Sequence, residues 1–167
     1  MTIQDIQNKK NREKIIMLTA YDYATACAVD ESGVDIVLVG DSLANVVLGL
    51  NNTRDVTTDE MIHHTKAVRR AVKKALLVGD MPYLAYQADP SLAVKSALRF
   101  KNEGGCHGVK IEWFDRAVEV SKNITTAGVA VMGHVGLTPQ TADQLGGFKV
   151  QGKDQQQARK ILQQAQE

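Results

Sequence analysis

Aromatic residues are scarce. Phe, Tyr and Trp make up 5% of the chain, and there is one tryptophan. That leaves no stock of stacking platforms for single-stranded nucleic acid. An excess of one charge is missing as well. Lys and Arg number 20 against 19 Asp and Glu, a formal net charge of +1, whereas binding to nucleic acid or an anionic membrane calls for a clustered basic excess. Cysteine is limited to Cys27 and Cys106. They form no CxxC pair and read as reduced, semi-buried thiols. No apolar run approaches the roughly 18 residues of a membrane span. The charged N-terminus is not followed by an apolar stretch of signal-peptide length. Linkers, low-complexity segments and solenoid-period repeats are also absent. These absences predict a cytoplasmic protein with no nucleic-acid or membrane partner.

What is present is ordinary for a globular domain: 167 residues, 44% hydrophobic and 23% charged. That length buries a real core. It is short of the about 250 residues usual for a complete eight-unit βα barrel.

The apolar pattern alternates between two periods. Thr2 caps a short leading helix over residues 2–10. The run IIMLTA (15–20) has the length of a buried strand. A helix over 23–32 stops at Gly33. DIVLVG (35–40) is Val- and Ile-rich without alternation, as in a parallel sheet covered on both faces. A polar loop around 50–58 precedes a helix over 59–74. Strands follow at 75–79, 107–112 and 129–134, with helices at 90–103 and 115–126. A turn-rich segment (138–147) precedes a last helix at 154–167. Five βα units in succession predict a parallel sheet with right-handed crossovers. Two architectures satisfy this: a doubly wound open sheet, or five units of a barrel. No GxGxxG follows the first strand, which removes the usual dinucleotide-binding open sheet. The chain also ends in a helix with no strand after it. Both points favour the barrel, with residues 1–167 as a single incomplete βα-barrel domain behind a short N-terminal helix.

In parallel α/β folds, chemistry sits at the C-terminal ends of the strands. The second strand runs into Asp41-Ser42, the third into Asp80, the fourth carries Lys110 and Glu112, and the fifth ends at His134. An acid at one such position is as readily a helix cap. Titratable groups on four successive strands, with Lys110 inside an apolar one, point to a functional rim. Three carboxylates gathered in a cavity repel one another unless a cation neutralises them. Oxygen-only ligands suit a hard ion such as Mg²⁺. Lys110 and Glu112 are two apart on a strand and so share a face, where an anionic substrate could bridge cation and lysine.

Other candidates weaken on inspection. Gly147–Lys153 matches the start of a P-loop, but Asp154 stands where Ser or Thr is needed. His63 and His64 are adjacent on a helix and diverge by about 100°, so they read as a solvated or interface pair. His107 opens a strand and reads as structural. Tyr21-Asp22-Tyr23 follows the first strand and could pack at the rim.

Longer motifs carry a resemblance. MLTAYDYATA (Met17–Ala26), GVDIVLVGDSLANVVLG (Gly33–Gly49), VTTDEMIHHTKAVRR (Val56–Arg70), GDMPYLAY (Gly79–Tyr86), VKIE (Val109–Glu112) and VMGHVGLTPQTADQLGGFKVQGKD (Val131–Asp154) resemble the ketopantoate hydroxymethyltransferase family, in order and over nearly the whole chain. The resemblance implies a (β/α)8 barrel, a Mg²⁺ ion and a homo-oligomer, typically a decamer. It implies transfer of a one-carbon unit from methylene-tetrahydrofolate to the α-ketoacid 3-methyl-2-oxobutanoate, giving 2-dehydropantoate. It places the metal on Asp41, Asp80 and Glu112, and the substrate on Asp41, Ser42, Asp80 and Lys110. His134 matches a histidine near the site.

Two departures stand out. Trp113-Phe114 replace a usual Gly-Gly after the fourth strand, so the shape of that loop is open. The family's proton acceptor is a glutamate on a strand following residues 154–167. Within this chain the base is therefore unassigned, with His134 the candidate. The 167 residues alone are expected to be aggregation-prone or molten, because five strands leave two open edges with the fifth (129–135) an exposed apolar one, and to lack transfer activity, because the family's base lies on a later strand. Two further readings stay open: another Mg²⁺-dependent α-ketoacid lyase or mutase of related barrel fold, and a non-catalytic fragment.

Overall fold

The computed structural model describes residues Met1–Glu167. Its frame is five strands, β1 (Met17–Thr19), β2 (Ile36–Val39), β3 (Leu76–Asp80), β4 (Gly108–Glu112) and β5 (Ala130–His134). All neighbours are parallel and the order is β1-β2-β3-β4-β5. A doubly wound sheet reverses its order at a switch point. Here every crossover steps to the next neighbour in one direction, which is how a barrel is wound. The helices are α1 (Ile3–Asn8), α2 (Tyr23–Glu31), α3 (Leu43–Val46), α4 (Thr58–Ala71), α5 (Pro90–Asn102), α6 (Ala117–Thr126) and α7 (Gln155–Gln166). No helix is long and apolar enough to cross a membrane.

Helix starts follow local chemistry. Thr2 with Asp5, and Thr57 with Glu60, close capping boxes on α1 and α4. Asp22, Asp89 and Asp154 cap α2, α5 and α7, with Pro90 opening α5. Gly33 adopts φ 82° just past α2, a conformation that glycine takes without a steric penalty.

The strands separate two apolar layers. Val37, Val39, Leu77, Val109 and Ile111 belong to the main core beneath the helices. Ile36, Leu38, Leu76 and Val78 form a second cluster on the other face, against Ile3 and Ile6 of α1. Alternation along β2–β4 puts the second cluster on the same face as Asp80, Lys110 and Glu112. α1 therefore covers the end opposite those polar groups. Lys9 Nζ donates to Asp35 at 2.7 Å and ties α1 to the start of β2. On the helix side, Gly79 leaves room for Phe100, since a Cβ there would lie 2.5 Å from the ring. Cys27 and Cys106 are both free thiols. Cys106 is more deeply buried than expected, and burial pushes its thiol up to about 12.

Three expectations need correction. The run at 15–20 is not a buried strand: β1 has three residues, and Met17 and Leu18 are 40% and 49% exposed. β1 lies at a sheet edge and pairs only with β2, while α2 packs chiefly on α4. An apolar run does not say what will cover it. β5 is the other edge of the sheet, as expected, but residues 130–132 are half-buried rather than exposed. The segment after β2 is not all loop, because α3 follows Ser42 directly and Thr53–Asp55 forms a short 3-10 turn. α7 buries none of its residues.

Asp30 is a buried acid at the end of α2. It accepts backbone hydrogen bonds from Lys73 (2.9 Å), Lys74 (3.1 Å) and Ala75 (2.8 Å), which lead into β3. Burial acts to raise its pKa, but these three donors and Lys74 outweigh it, and the net shift is below the ordinary 3.8. A depressed carboxylate contributes stability that is present above its unfolded pKa and is lost as pH falls through the folded value. Asp30→Asn is expected to cost about 1–3 kcal/mol at neutral pH and to reduce the loss of stability below about pH 4. Urea unfolding of both forms at pH 7 and pH 3 checks this.

Candidate active site

The C-terminal ends of β2–β5 bring the expected groups together. The register sets Asp80 opposite Lys110, and Glu112 opposite His134. Lys110 Nζ lies 2.9 Å from Asp80 Oδ1 and 3.8 Å from Glu112 Oε1. His134 Nδ1 lies 3.5 Å from the same Glu112 oxygen. Asp41 follows the end of β2, and its backbone N–H donates to Asp80 Oδ2 at 3.3 Å. Asp41, Asp80, Lys110 and Glu112 are all buried. Ser42 is half-buried, its Oγ 2.7 Å from the Tyr21 hydroxyl. Tyr21, a rim candidate from its position, thus reaches the site through Ser42. Its carbonyl in turn accepts from His64 Nδ1 at 2.7 Å, which makes His64 a structural bond rather than a solvated side chain.

The electrostatics are unbalanced. Three carboxylates surround one lysine. Burial pushes Asp80 up to about 8; Lys110 only partly offsets this, and Asp41 adds to it. Burial also raises Asp41. For Lys110, burial works against the charge, yet Asp80 and Glu112 hold its pKa above the ordinary 10.5, so it stays an ammonium.

Five buried side-chain N or O atoms in the chain fall outside hydrogen-bond geometry; three of them are Asp80 Oδ1, Glu112 Oε1 and His134 Nδ1, which are met only by the ion-pair contacts with Lys110 and with one another. Orphans concentrated at one point call for a physical cause. Carboxylate oxygens that share one ammonium, in a cluster short of positive charge, are the donors a hard divalent cation takes. No three acid, histidine or cysteine side chains yet stand in ligating range of one another. Lys110 Nζ lies between Asp80 and Glu112.

Two participants are not signalled by composition or spacing. Gln140 lies in the turn Pro139–Thr141 and is 1% exposed. Its Nε2 donates to Asp41 Oδ2 (2.8 Å) and to the Met81 carbonyl (3.0 Å), and its backbone N–H donates to Glu112 Oε2 (3.0 Å). Its Oε1 accepts from the buried Tyr86 hydroxyl, which accepts in turn from the Glu112 backbone N–H at 3.2 Å. A loop glutamine is ordinarily solvated. Only its place within the TPQ motif of the resemblance marks it.

The remaining expectations resolve simply. His107 is structural: its Nδ1 accepts from the Leu77 backbone N–H at 2.8 Å. His63 is exposed on α4. Asp154 caps α7, so Gly147–Lys153 is the approach to a helix, not a phosphate cradle. Trp113 carries the β4–β5 ladder one step further, donating to the His134 carbonyl at 2.9 Å. Phe114 packs edge-on against Tyr86, with ring centres 5.4 Å apart. Glu112, Trp113 and His134 border a cavity of about 600 Å³. Trp113 and Phe114 also wall a neighbouring cleft of about 720 Å³ with Tyr83, Arg116 and Lys160.

Comparison with known proteins identifies the family. Residues 1–167 match the family model described as ketopantoate hydroxymethyltransferase. The 3-methyl-2-oxobutanoate hydroxymethyltransferase of Syntrophomonas wolfei is 54% identical over 166 residues, which is 99% of this chain and 60% of that protein. The protein of the same name from Clostridium novyi is 50% identical over 165 residues, covering 98% and 60%. The chain thus spans about 60% of the length of the curated relatives it matches. Among solved structures, a phosphonopyruvate hydrolase in complex with oxalate and Mg²⁺ aligns over 99% of this chain and 60% of its own, with TM-score 0.70 and 11% identity. A 2,3-dimethylmalate lyase of the PEP mutase/isocitrate lyase superfamily aligns over 98% and 57%, with TM-score 0.68 and 14% identity. At such identities these structures speak to the fold alone, five consecutive units of the (β/α)8-barrel class. The sequence match along its full length places this chain in the ketopantoate hydroxymethyltransferase family.

Proposed function

We propose that this protein transfers a hydroxymethyl group to 3-methyl-2-oxobutanoate to give 2-dehydropantoate in pantothenate synthesis. The donor would be methylene-tetrahydrofolate, and the setting a cytoplasmic homo-oligomer. Self-association would cover apolar residues such as Val46 and Val47, which stand 68% and 45% exposed beyond the Asp41 turn. The observation that carries the reading is the buried rim cluster, whose three carboxylates around a single ammonium match what an α-ketoacid and a cation would need.

Asp41, Asp80 and Glu112 would hold a Mg²⁺ ion, which supplies Lewis-acid stabilisation of the charge developing on the ketoacid oxygens as C3 loses its proton. Lys110 pairs with the substrate carboxylate by a charge-assisted bond. Its stem is buried and its head is pinned by Asp80, so little reorganisation is needed when substrate arrives. Ser42, oriented by Tyr21, offers a hydroxyl to the same anion. His134 is more exposed than the acids and its Nδ1 is free of hydrogen bonds. Among residues 1–167 it is the group free to accept the C3 proton in place of the family's later glutamate, and C3 exchange by this chain would overturn the expectation that these residues alone are inactive. Water would release the donor carbon at the formaldehyde level, breaking its bonds to the folate nitrogens and freeing tetrahydrofolate; C3 would then bond to that carbon, and its oxygen would take up a proton to become the hydroxyl.

Proton NMR in D2O with 3-methyl-2-oxobutanoate tests the first half of this reaction without the folate. The expected result is loss of the C3 proton signal that depends on both protein and Mg²⁺. A folded protein that binds the ketoacid but exchanges no C3 proton would overturn the reading.

A further inference from the structure

We propose that Gln140 is a positioning residue, whose amide and backbone N–H hold Asp41 and Glu112 in the attitude in which they take a divalent cation; this rests on the reading of the rim as a cation and ketoacid site. One residue reaches four partners from three different parts of the chain. Its side chain bonds Asp41, 99 residues away, Met81 and Tyr86, and its backbone bonds Glu112. All of these contacts are buried.

The network admits one orientation of the amide. Nε2 faces two acceptors, the Asp41 carboxylate and the Met81 carbonyl. The Tyr86 hydroxyl accepts from the Glu112 N–H and so has its proton left for Gln140 Oε1. A flipped amide would set its carbonyl against both acceptors. Two donors and one acceptor are therefore all used, and the side chain has no freedom to rotate.

Each bond occupies one oxygen of a carboxylate and leaves the other. Glu112 Oε2 takes the Gln140 backbone N–H, and Glu112 Oε1 is left buried without a hydrogen bond. Asp41 gives Oδ2 to the amide. A neutral donor orients these acids without cancelling their charge, which a lysine or arginine in the same place would do. Partners of this kind, bonded to the ligands rather than to the ion, set ligand orientation in metal sites. Because Gln140 lies in the turn after β5, the same bonds tie that loop to the ends of β2 and β4.

Manganese alone, titrated into the full chain and read by electron paramagnetic resonance, tests the role without substrate. Gln140→Met keeps the length and removes both donors. It is expected to weaken Mn²⁺ binding by about 10–100-fold in a protein that still melts cooperatively. A Kd within twofold of the parent, with or without a lower Tm, would reduce Gln140 to a packing residue and overturn the proposal. If the methionine variant does not fold, Tyr86→Phe keeps the ring and frees the amide. At least threefold weaker Mn²⁺ binding then supports the role, and an unchanged Kd overturns it. Asp41→Asn separates this proposal from the reading beneath it. Parent-like Mn²⁺ affinity in that variant would mean that the rim does not hold the cation, and both would fall.

Discussion

Asp80→Ala is expected to lower Mg²⁺-dependent C3 proton exchange by about a thousandfold, equivalent to roughly 4 kcal/mol of transition-state stabilisation. Asp80 is the last residue of β3 and nearly inaccessible, at 2% exposure. Its Oδ1 lies 2.9 Å from Lys110 Nζ, against 3.8 Å for Glu112 Oε1, which makes it the nearest carboxylate to that ammonium. Its removal takes away an anionic ligand and strands a buried ammonium, and breaking a buried pair costs about 3–5 kcal/mol of stability. Asp80→Asn separates these effects. The amide oxygen can still accept from Lys110 in place of Oδ1, and only the 3.3 Å bond from the Asp41 N–H to Oδ2 is given up, so the charge is lost at a smaller cost to the fold. Exchange kinetics and thermal unfolding of both variants make the check. Metal-dependent exchange at the parent rate in the asparagine variant would remove Asp80 from the chemistry.

Lys110→Met should act mainly on ketoacid binding. A charge-assisted bond to the substrate carboxylate contributes about 1.5–3 kcal/mol, a loss of about 10- to 150-fold in affinity. Methionine keeps the buried stem and removes the head, leaving Asp41, Asp80 and Glu112 with no cation between them. The fold should therefore lose stability as well, and added Mg²⁺ should restore part of it by binding the folded state. Calorimetric titration with 3-methyl-2-oxobutanoate at saturating Mg²⁺ distinguishes the roles. Unchanged KM and kcat would show that Lys110 serves only as a counter-ion to Asp80.

These two residues show how far the rim was legible. Asp80 and Lys110 stand at the ends of apolar runs, and strand direction alone carries such positions to one end of a parallel sheet. The spacing of Lys110 and Glu112 put them on one face before any contact was known. Their pairing was not legible. That Asp80 lies opposite Lys110 and Glu112 opposite His134 depends on how three strands register against one another. The Lys110–Asp80 bond at 2.9 Å places the lysine among the acids as their counter-ion as well as beside a substrate.

The sequence by itself determined the features set by neighbours a few residues apart. The capping pairs Thr2–Asp5 and Thr57–Glu60, the proline opening α5 and the alternation of strand and helix all depend on contacts or periods shorter than two helical turns. The family resemblance, too, was carried by contiguous motifs. The tertiary structure alone decided which apolar runs are covered. IIMLTA and DIVLVG look alike as strings, yet β1 is an edge with Leu18 half exposed, while β2 lies between two neighbours and every residue from Ile36 to Val39 is buried. It also decided that Gln140 enters the site. A glutamine carries no hydrophobic period and no charge. Its burial is favourable only where two acceptors and one donor, from Asp41, Met81 and Tyr86, meet at one point. Those partners lie 54 to 99 residues away, and only the one-directional winding of the strands brings them together.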